Sequence, residues 1–311
     1  MAQRYLSKTN KKISYKLREA SFDLLSDFLV NLNNRNKENL QSLSEFSGTF
    51  KKTKLMEFIF LITAELRLDP LAGYHAAELL QRFMVKHLTD LFITPTPQGA
   101  ATDPPKSYEG AVFGMLKEKF PLIIFSCLQL ASKMSLHSHM INNSIAVHFL
   151  HSAGFSVSKK DVLESELMVL KGLDFRLDAQ NPLTYVEILL EVLGHNEPSI
   201  PVDRLHPLCL HVLQFVSLQR TAIYGSLLAA TVQWGSPSTE QREKFVTVTE
   251  DCMLLGVNVI AVATFIVIFE EWEQVLKELS HITGITQKSI RDFACVTLKH
   301  IIGTKSSAVF T

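Results

Sequence analysis

At 311 residues the chain has the length of about two domains, and its 47% hydrophobic content builds ordinary cores rather than a disordered polymer. Its 31 basic and 31 acidic residues cancel. That balance removes the positive excess on which general binding to nucleic-acid phosphates depends.

The first eighteen residues depart from it: Arg4, Lys8, Lys11, Lys12, Lys16 and Arg18 precede the first acid, Glu19. They read as an import signal, a chromatin-contacting arm or a solvated tail. No apolar run follows them, so a secretory signal peptide is not expected. Residues 54–84 have the spacing of two amphipathic helices, broken at Asp69-Pro70 because proline disfavours helical geometry in the residue before it. A polar stretch with four prolines, 94–110, then reads as a long loop. Within it, Thr94-Pro95 and Thr96-Pro97 are either proline-directed phosphorylation sites or part of a plain connector.

FPLIIFSCLQLASK (120–133) is an apolar helix, and ESELMVLKGLDFRL (164–177) opens another with Glu166 near its start. Between them His137, His139, His148 and His151 crowd together, and His148 and His151 stand at the three-residue spacing of some metal ligands. No carboxylate or thiol completes a set, so neither a metal nor another cofactor is expected. Asp178 to Pro182 marks a boundary. Beyond it, 181–194 is a helix with Asn181 as N-cap, Pro182 in the first turn and Gly194 as C-cap. Helices over 201–234, 250–269, 271–281 and 286–302 follow and complete a second set of five.

The stretch 252–269 is close to the length of a membrane span. Glu250 and Asp251 precede it and Glu270, Glu271 and Glu273 follow, so neither end offers a basic anchor, and Asn258 interrupts the middle. A buried central helix is the expectation, the counterpart of 120–133 in an internal repeat of about 130 residues. Cys127, Cys209, Cys252 and Cys295 lie far apart in apolar stretches and read as free thiols, with no zinc or disulfide pattern. No glycine-rich phosphate loop, nucleophile elbow or paired acid–base motif occurs, so an enzyme is not expected.

Lys133 at the end of LQLASK, Glu166, the leucines after it and the Phe-x-Leu of Phe175 and Leu177 together resemble a cyclin box. The resemblance implies an all-α fold of two tandem five-helix bundles with a short N-terminal helical extension. Its divisions are a basic extension at 1–24, an N-terminal box at 25–179 and a cyclin-like bundle at 180–311. It also implies that Lys133, Met134, Glu166, Leu167, Leu170, Phe175 and Leu177 grip a cyclin-dependent kinase or another protein. Met134 stands where many cyclins carry an aromatic residue. At such a surface apolar side chains supply buried area, and a lysine and a glutamate fix the register with oriented hydrogen bonds.

Arg82-Phe83 repeats the close of the second helix in many cyclins, and Leu55 and Phe58 fall on positions of the cyclin substrate-docking patch. The departures are Lys52 and Gln81 in place of an arginine–aspartate pair, Ser135 and Leu136 in place of two glutamates, and Lys51 and Leu61 in the docking patch. They imply a looser box that binds a kinase with little activation. The strings LLQRFMVK (79–86), LQLASK (128–133), LLEVLG (189–194), EDCMLLGV (250–257) and ITGI (282–285) resemble, in both halves, the cyclin-box proteins of the meiotic crossover machinery. This closer resemblance implies a nuclear, chromosome-associated regulator with the cytoplasm as a second location. Its partners would be a cyclin-dependent kinase and crossover proteins, with no direct nucleic-acid contact and no membrane. A cyclin-fold scaffold for non-kinase partners is a second reading. A transcription-factor-type cyclin fold on DNA is a third, and the zero net charge weighs against it.

Overall fold

The computed structural model describes residues 20–44, 46–93, 105–135, 141–231 and 238–307. Among these the chain is helical with no strand. A first helix, α1 (Phe22–Gln41), precedes α2 (Thr53–Glu65), α3 (Pro70–Ile93), α4 (Pro105–Met134), α5 (Asn143–Ser152) and α6 (Lys159–Gly172). Then come α7 (Pro182–Asn196), α8 (Val202–Leu218), α9 (Arg220–Thr231), α10 (Thr239–Thr249) and α11 (Cys252–Val267). A short 3₁₀ turn, Phe269–Glu271, leads into α12 (Trp272–Thr283) and α13 (Gln287–Ser307).

Local chemistry sets the ends of these helices. Between α2 and α3 the chain reverses at Arg67, whose φ of 52° is left-handed, and the Asp69 carboxylate accepts from the Leu71 amide at 2.8 Å at the start of α3. Asn142 caps α5, Ser158 and Asp161 form a reciprocal capping box at α6, and Asn181 caps α7 with Pro182 in its first turn. Such caps satisfy amides that have no partner within the helix. Asp251 does the same for α11.

Each bundle is organised around one apolar helix. In the first, α4 buries Ile123, Ile124, Phe125, Cys127, Leu128, Leu130 and Ala131 against α3 and α6. In the second, α11 buries every residue from 257 to 264 and touches α7, α8, α12 and α13. A helix that is apolar all round requires neighbours on every side. No single helix among the described residues is long and apolar enough to cross a membrane, and α10 and α11, which pass together on length and composition, meet at 71°.

Several boundaries differ from those read in the sequence. The stretch 105–110, expected as loop, is the first part of α4. Glu166 lies well inside α6 rather than at its start, because the capping box at Ser158 begins the helix earlier. Gly194 is interior to α7, which runs on to Asn196. The expected 201–234 helix breaks at Gln219, and α10 starts on a second capping box at Ser238 and Gln241. The helices α9 and α10 thus stand between the second and third of the expected five helical positions, and α9 contributes Ile223, Tyr224 and Leu227 to this core.

Residues 25–41 were counted with the first box, but their apolar face turns to the second bundle: α1 packs on α7 and α11, and Leu32 lies in that core. Asn36 ties α1 to the start of α11, donating to the Asp251 carboxylate at 2.8 Å and accepting from the Cys252 amide at 3.1 Å. Where α3 passes α6, Gly172 makes room for Phe83. A Cβ there would stand 2.5 Å from the Phe83 ring.

Candidate protein-partner interface

The last turn of α4 presents Lys133 and Met134 beside the middle of α6. The two helices approach closely because Ser126 and Ser165, both small and buried, meet across the gap with their hydroxyls 2.8 Å apart. Two turns further along α4, the Lys133 ammonium pairs with the Glu166 carboxylate. Glu166 is held down in the helix interface with its side chain 10% exposed, while that of Lys133 is 39% exposed. Around the pair stand Met134 at 52%, Leu167 at 45% and Phe175 at 64% exposure. Leu170 and Leu177 are partly buried and pack on the first core.

Phe175 reaches solvent through an unusual piece of backbone. After α6 ends at Gly172, both Asp174 (φ 51°) and Phe175 (φ 58°) adopt left-handed geometry, and the Phe175 amide donates back to the Leu170 carbonyl at 2.8 Å. Left-handed geometry at two successive residues other than glycine is strained, on the order of 1 kcal/mol or more each. The surrounding structure holds it in place. Lys86 pairs with Asp174, Arg35 with Asp178, Arg82 donates to the Asp178 carbonyl at 3.0 Å, and His75 donates to the Leu177 carbonyl at 2.8 Å. A large apolar ring is therefore displayed at a fixed place instead of collapsing onto the core.

Leu163 belongs to this surface and was not singled out from the sequence. It is 50% exposed, and its position four residues before Leu167 on one helical face was the available signal. Of the docking-patch positions, Leu55 and Phe58 are partly buried against the first core, and Leu61 is exposed. Leu136, His137, His139, the two Thr-Pro pairs and the basic segment 1–18 fall outside the described residues. His148 and His151 are both exposed, the His151 ring bonds the main chain of Val157, and among the described residues no three His, Cys, Asp or Glu side chains are placed to hold a metal ion. Cys127, Cys209 and Cys252 are buried free thiols, and burial pushes all three well above the ordinary thiol range.

A second charged centre, invisible in the sequence, lies between the bundles. Lys51 contacts Glu78 at 2.5 Å and Glu250 at 2.7 Å, and Arg220 contacts Glu250 at 2.6 Å and donates to the Thr249 carbonyl. The four side chains, two positive and two negative, are between 4 and 16% exposed. They line a cavity of about 40 Å³ with Tyr74 and Cys252. Burial acts to lower the Lys51 pKa, but the carboxylates of Glu250 and Glu78 outweigh it and the ammonium is held above its usual value. Burial alone would raise both acids. For Glu250 the charges of Lys51 and Arg220 win and the carboxyl is lowered; Glu78, with one cation and Glu250 beside it, is raised. Gly48 (φ 77°) roofs the site so closely that a Cβ would stand 2.5 Å from a Glu250 oxygen.

This centre corrects the expectation of a looser box. Lys52 is exposed at the start of α2, and its neighbour Lys51 carries the ion pairs. Gln81 accepts from the Phe50 amide at 2.8 Å and donates to the Phe46 carbonyl at 3.0 Å, fixing the segment before α2 onto α3. Positions 52 and 81 therefore give no ground for expecting weak kinase activation. Among the described residues the Ser135 departure and the docking-patch departures at Lys51 and Leu61 still bear on it.

No protein-family model matches the chain. Over 284 residues, 91% of this chain, it is 38% identical to "Cyclin N-terminal domain-containing protein 1" of Mus musculus, covering 85% of that protein. To the protein of the same name in Homo sapiens it is 39% identical over 284 residues, 91% of this chain and 86% of that protein.

Proposed function

The chain belongs to the family of cyclin N-terminal domain-containing proteins, and from that premise we propose that it is a non-catalytic regulator that binds a cyclin-dependent kinase. The contact surface is Lys133, Met134, Glu166, Leu167, Leu170, Phe175 and Leu177. The observation that carries this reading is an ion pair left part-open inside a ring of exposed large apolar side chains. Soluble domains seldom leave such clusters uncovered unless something docks there. A kinase helix laid on the ring buries the leucines, Met134 and Phe175, while Lys133 and Glu166 offer a donor and an acceptor to its backbone.

The biological setting rests on the likeness of the strings at 79–86, 128–133, 189–194, 250–257 and 282–285 to the cyclin-box proteins of meiotic crossover. On that likeness the protein acts in the nucleus, on chromosomes, and promotes crossover maturation together with other crossover proteins. The test is Lys133→Ala combined with Glu166→Ala, with circular dichroism to verify helical content and affinity purification from meiotic cells with mass spectrometry. Loss of a kinase from the purified set by a folded variant supports the assignment, whereas undiminished kinase recovery overturns it. If the variant loses only non-kinase proteins, the scaffold reading replaces the kinase one. Imaging of the tagged protein in germ cells checks the setting, and exclusion from meiotic chromosomes would contradict it.

A further inference from the structure

Beside the Lys133–Glu166 pair runs a groove of about 960 Å³, walled by α1, by α3 and by the segment 175–180. Three arginines, one from each wall, converge on it: Arg35, Arg82 and Arg176. Met134, Phe175 and Leu177 supply its apolar lining. The arginines are not equivalent. Arg35 is paired with the Asp178 carboxylate, and Arg82 spends one donor on the Asp178 carbonyl. Arg176 is exposed, and among the described residues it has no ion pair. Burial, and then the charges of Arg176 and Arg35, hold the Arg82 pKa below the usual arginine value, against the opposing pull of Glu78. Arg82 thus stands close enough to feel both of the other guanidiniums. Glu38, on the α1 wall, and the already engaged Asp178 are the acids that line the groove, so positive charge is in excess.

Arg176 makes no ion pair among the described residues, and its charge helps only to hold the Asp174 carboxyl low, after the larger effect of Lys86. A guanidinium carries five donors in a planar fork suited to carboxylates, and clusters of arginine are a recurring means of recognising acidic segments. We propose that this groove receives an acidic segment of the protein partner, with carboxylates on Arg82 and Arg176 and an apolar side chain between Met134, Phe175 and Leu177. The proposal rests on the reading that a partner sits on the Lys133–Glu166 surface, and it extends that footprint across the 175–180 segment to α1.

The test uses the full chain and a short fluorescein-labelled peptide with glutamates around one leucine, together with its glutamine and phosphoserine counterparts, read by fluorescence anisotropy. The glutamate peptide should bind and the glutamine peptide should not, with affinity falling as salt rises. Arg82→Gln and Arg176→Gln should each weaken binding by roughly tenfold, and Arg176→Glu should abolish it. Arg176 is exposed, so its variants retain the fold, and circular dichroism verifies this. Four results overturn the proposal: no binding of the glutamate peptide, equal binding of the glutamine peptide, native affinity in Arg176→Glu, or binding of the phosphoserine peptide alone. Because the peptide assay contains no kinase, its outcome is separate from that of the Lys133 and Glu166 purification, and either can fail without the other.

Discussion

Glu250 and Glu166 each face a lysine, but the two sites differ in burial and in partners. The Glu250 side chain is 4% exposed and shared between Lys51 and Arg220, with Glu78 completing a balanced set of four. Among the described residues Glu166 pairs only with Lys133, whose side chain is 39% exposed beside apolar groups that these residues leave uncovered. In the first site removal of one charge strands the others away from water, whereas in the second Lys133 stands open to water and only Glu166 is enclosed. The residue types match. Burial and connectivity decide that the first locks two bundles together and that the second remains available to a partner.

The largest effect should follow from Glu250→Ala, which leaves Lys51 and Arg220 enclosed without their shared acceptor. Stability to chemical denaturation should fall by about 3–5 kcal/mol, the usual consequence of breaking a buried pair. A loss below about 1 kcal/mol, typical of surface pairs, would erase the distinction between the sites. Lys133→Ala with Glu166→Ala should show the reverse pattern. Its stability should change by about 1 kcal/mol or less, while binding of the proposed kinase partner, read by calorimetry, should weaken by roughly 2–5 kcal/mol.

Gly48→Ala sharpens the comparison without touching a charge. The substitution places a Cβ against a Glu250 oxygen at a left-handed backbone position, so a cost of about 1–3 kcal/mol is expected in thermal or denaturant unfolding. An unchanged midpoint would mean that the roof over the cluster yields freely.

The smallest effect is in pH. The folded Glu250 carboxyl is lowered beneath its usual 4.5, so its contribution is present above pH 4.5 and disappears as pH falls through the folded value. Glu78 is raised and works in the opposite sense, taking up its proton at a higher pH in the fold than in the unfolded chain, so it offsets part of the acid loss. The stability gap between the native chain and Glu250→Gln should therefore be widest above pH 4.5 and narrow below it. A gap independent of pH would show that the Glu250 charge does not contribute to the lock.

Much of the fold was legible because its signals are local. Asp69-Pro70 breaks a helix by steric exclusion, Asn181-Pro182 starts one by capping, and the apolar run after Asp251 has the character of a helix enclosed on all sides. Lys133 and Glu166 could be chosen because they sit in recognisable strings. The cluster of Lys51, Glu78, Arg220 and Glu250 leaves no such mark, since Lys51 and Glu250 are 199 residues apart and an ion pair across two bundles has no periodicity. The available hint was indirect: two acids directly before an apolar helix are expensive unless something neutralises them. The packing of α1 on the second bundle was hidden for the same reason. Its apolar face was readable, but not which of two cores it would cover.

Hydrogen exchange on the full chain, free and bound to the proposed kinase partner, tests the central contrast most directly. Amides in 128–134 and 163–177 should exchange more slowly in the complex, while those in 46–51 and 249–252, beside the buried cluster, should be unchanged. Protection elsewhere, with 128–134 and 163–177 exchanging as in the free protein, would contradict the assignment of the Lys133–Glu166 surface as the one that meets the partner.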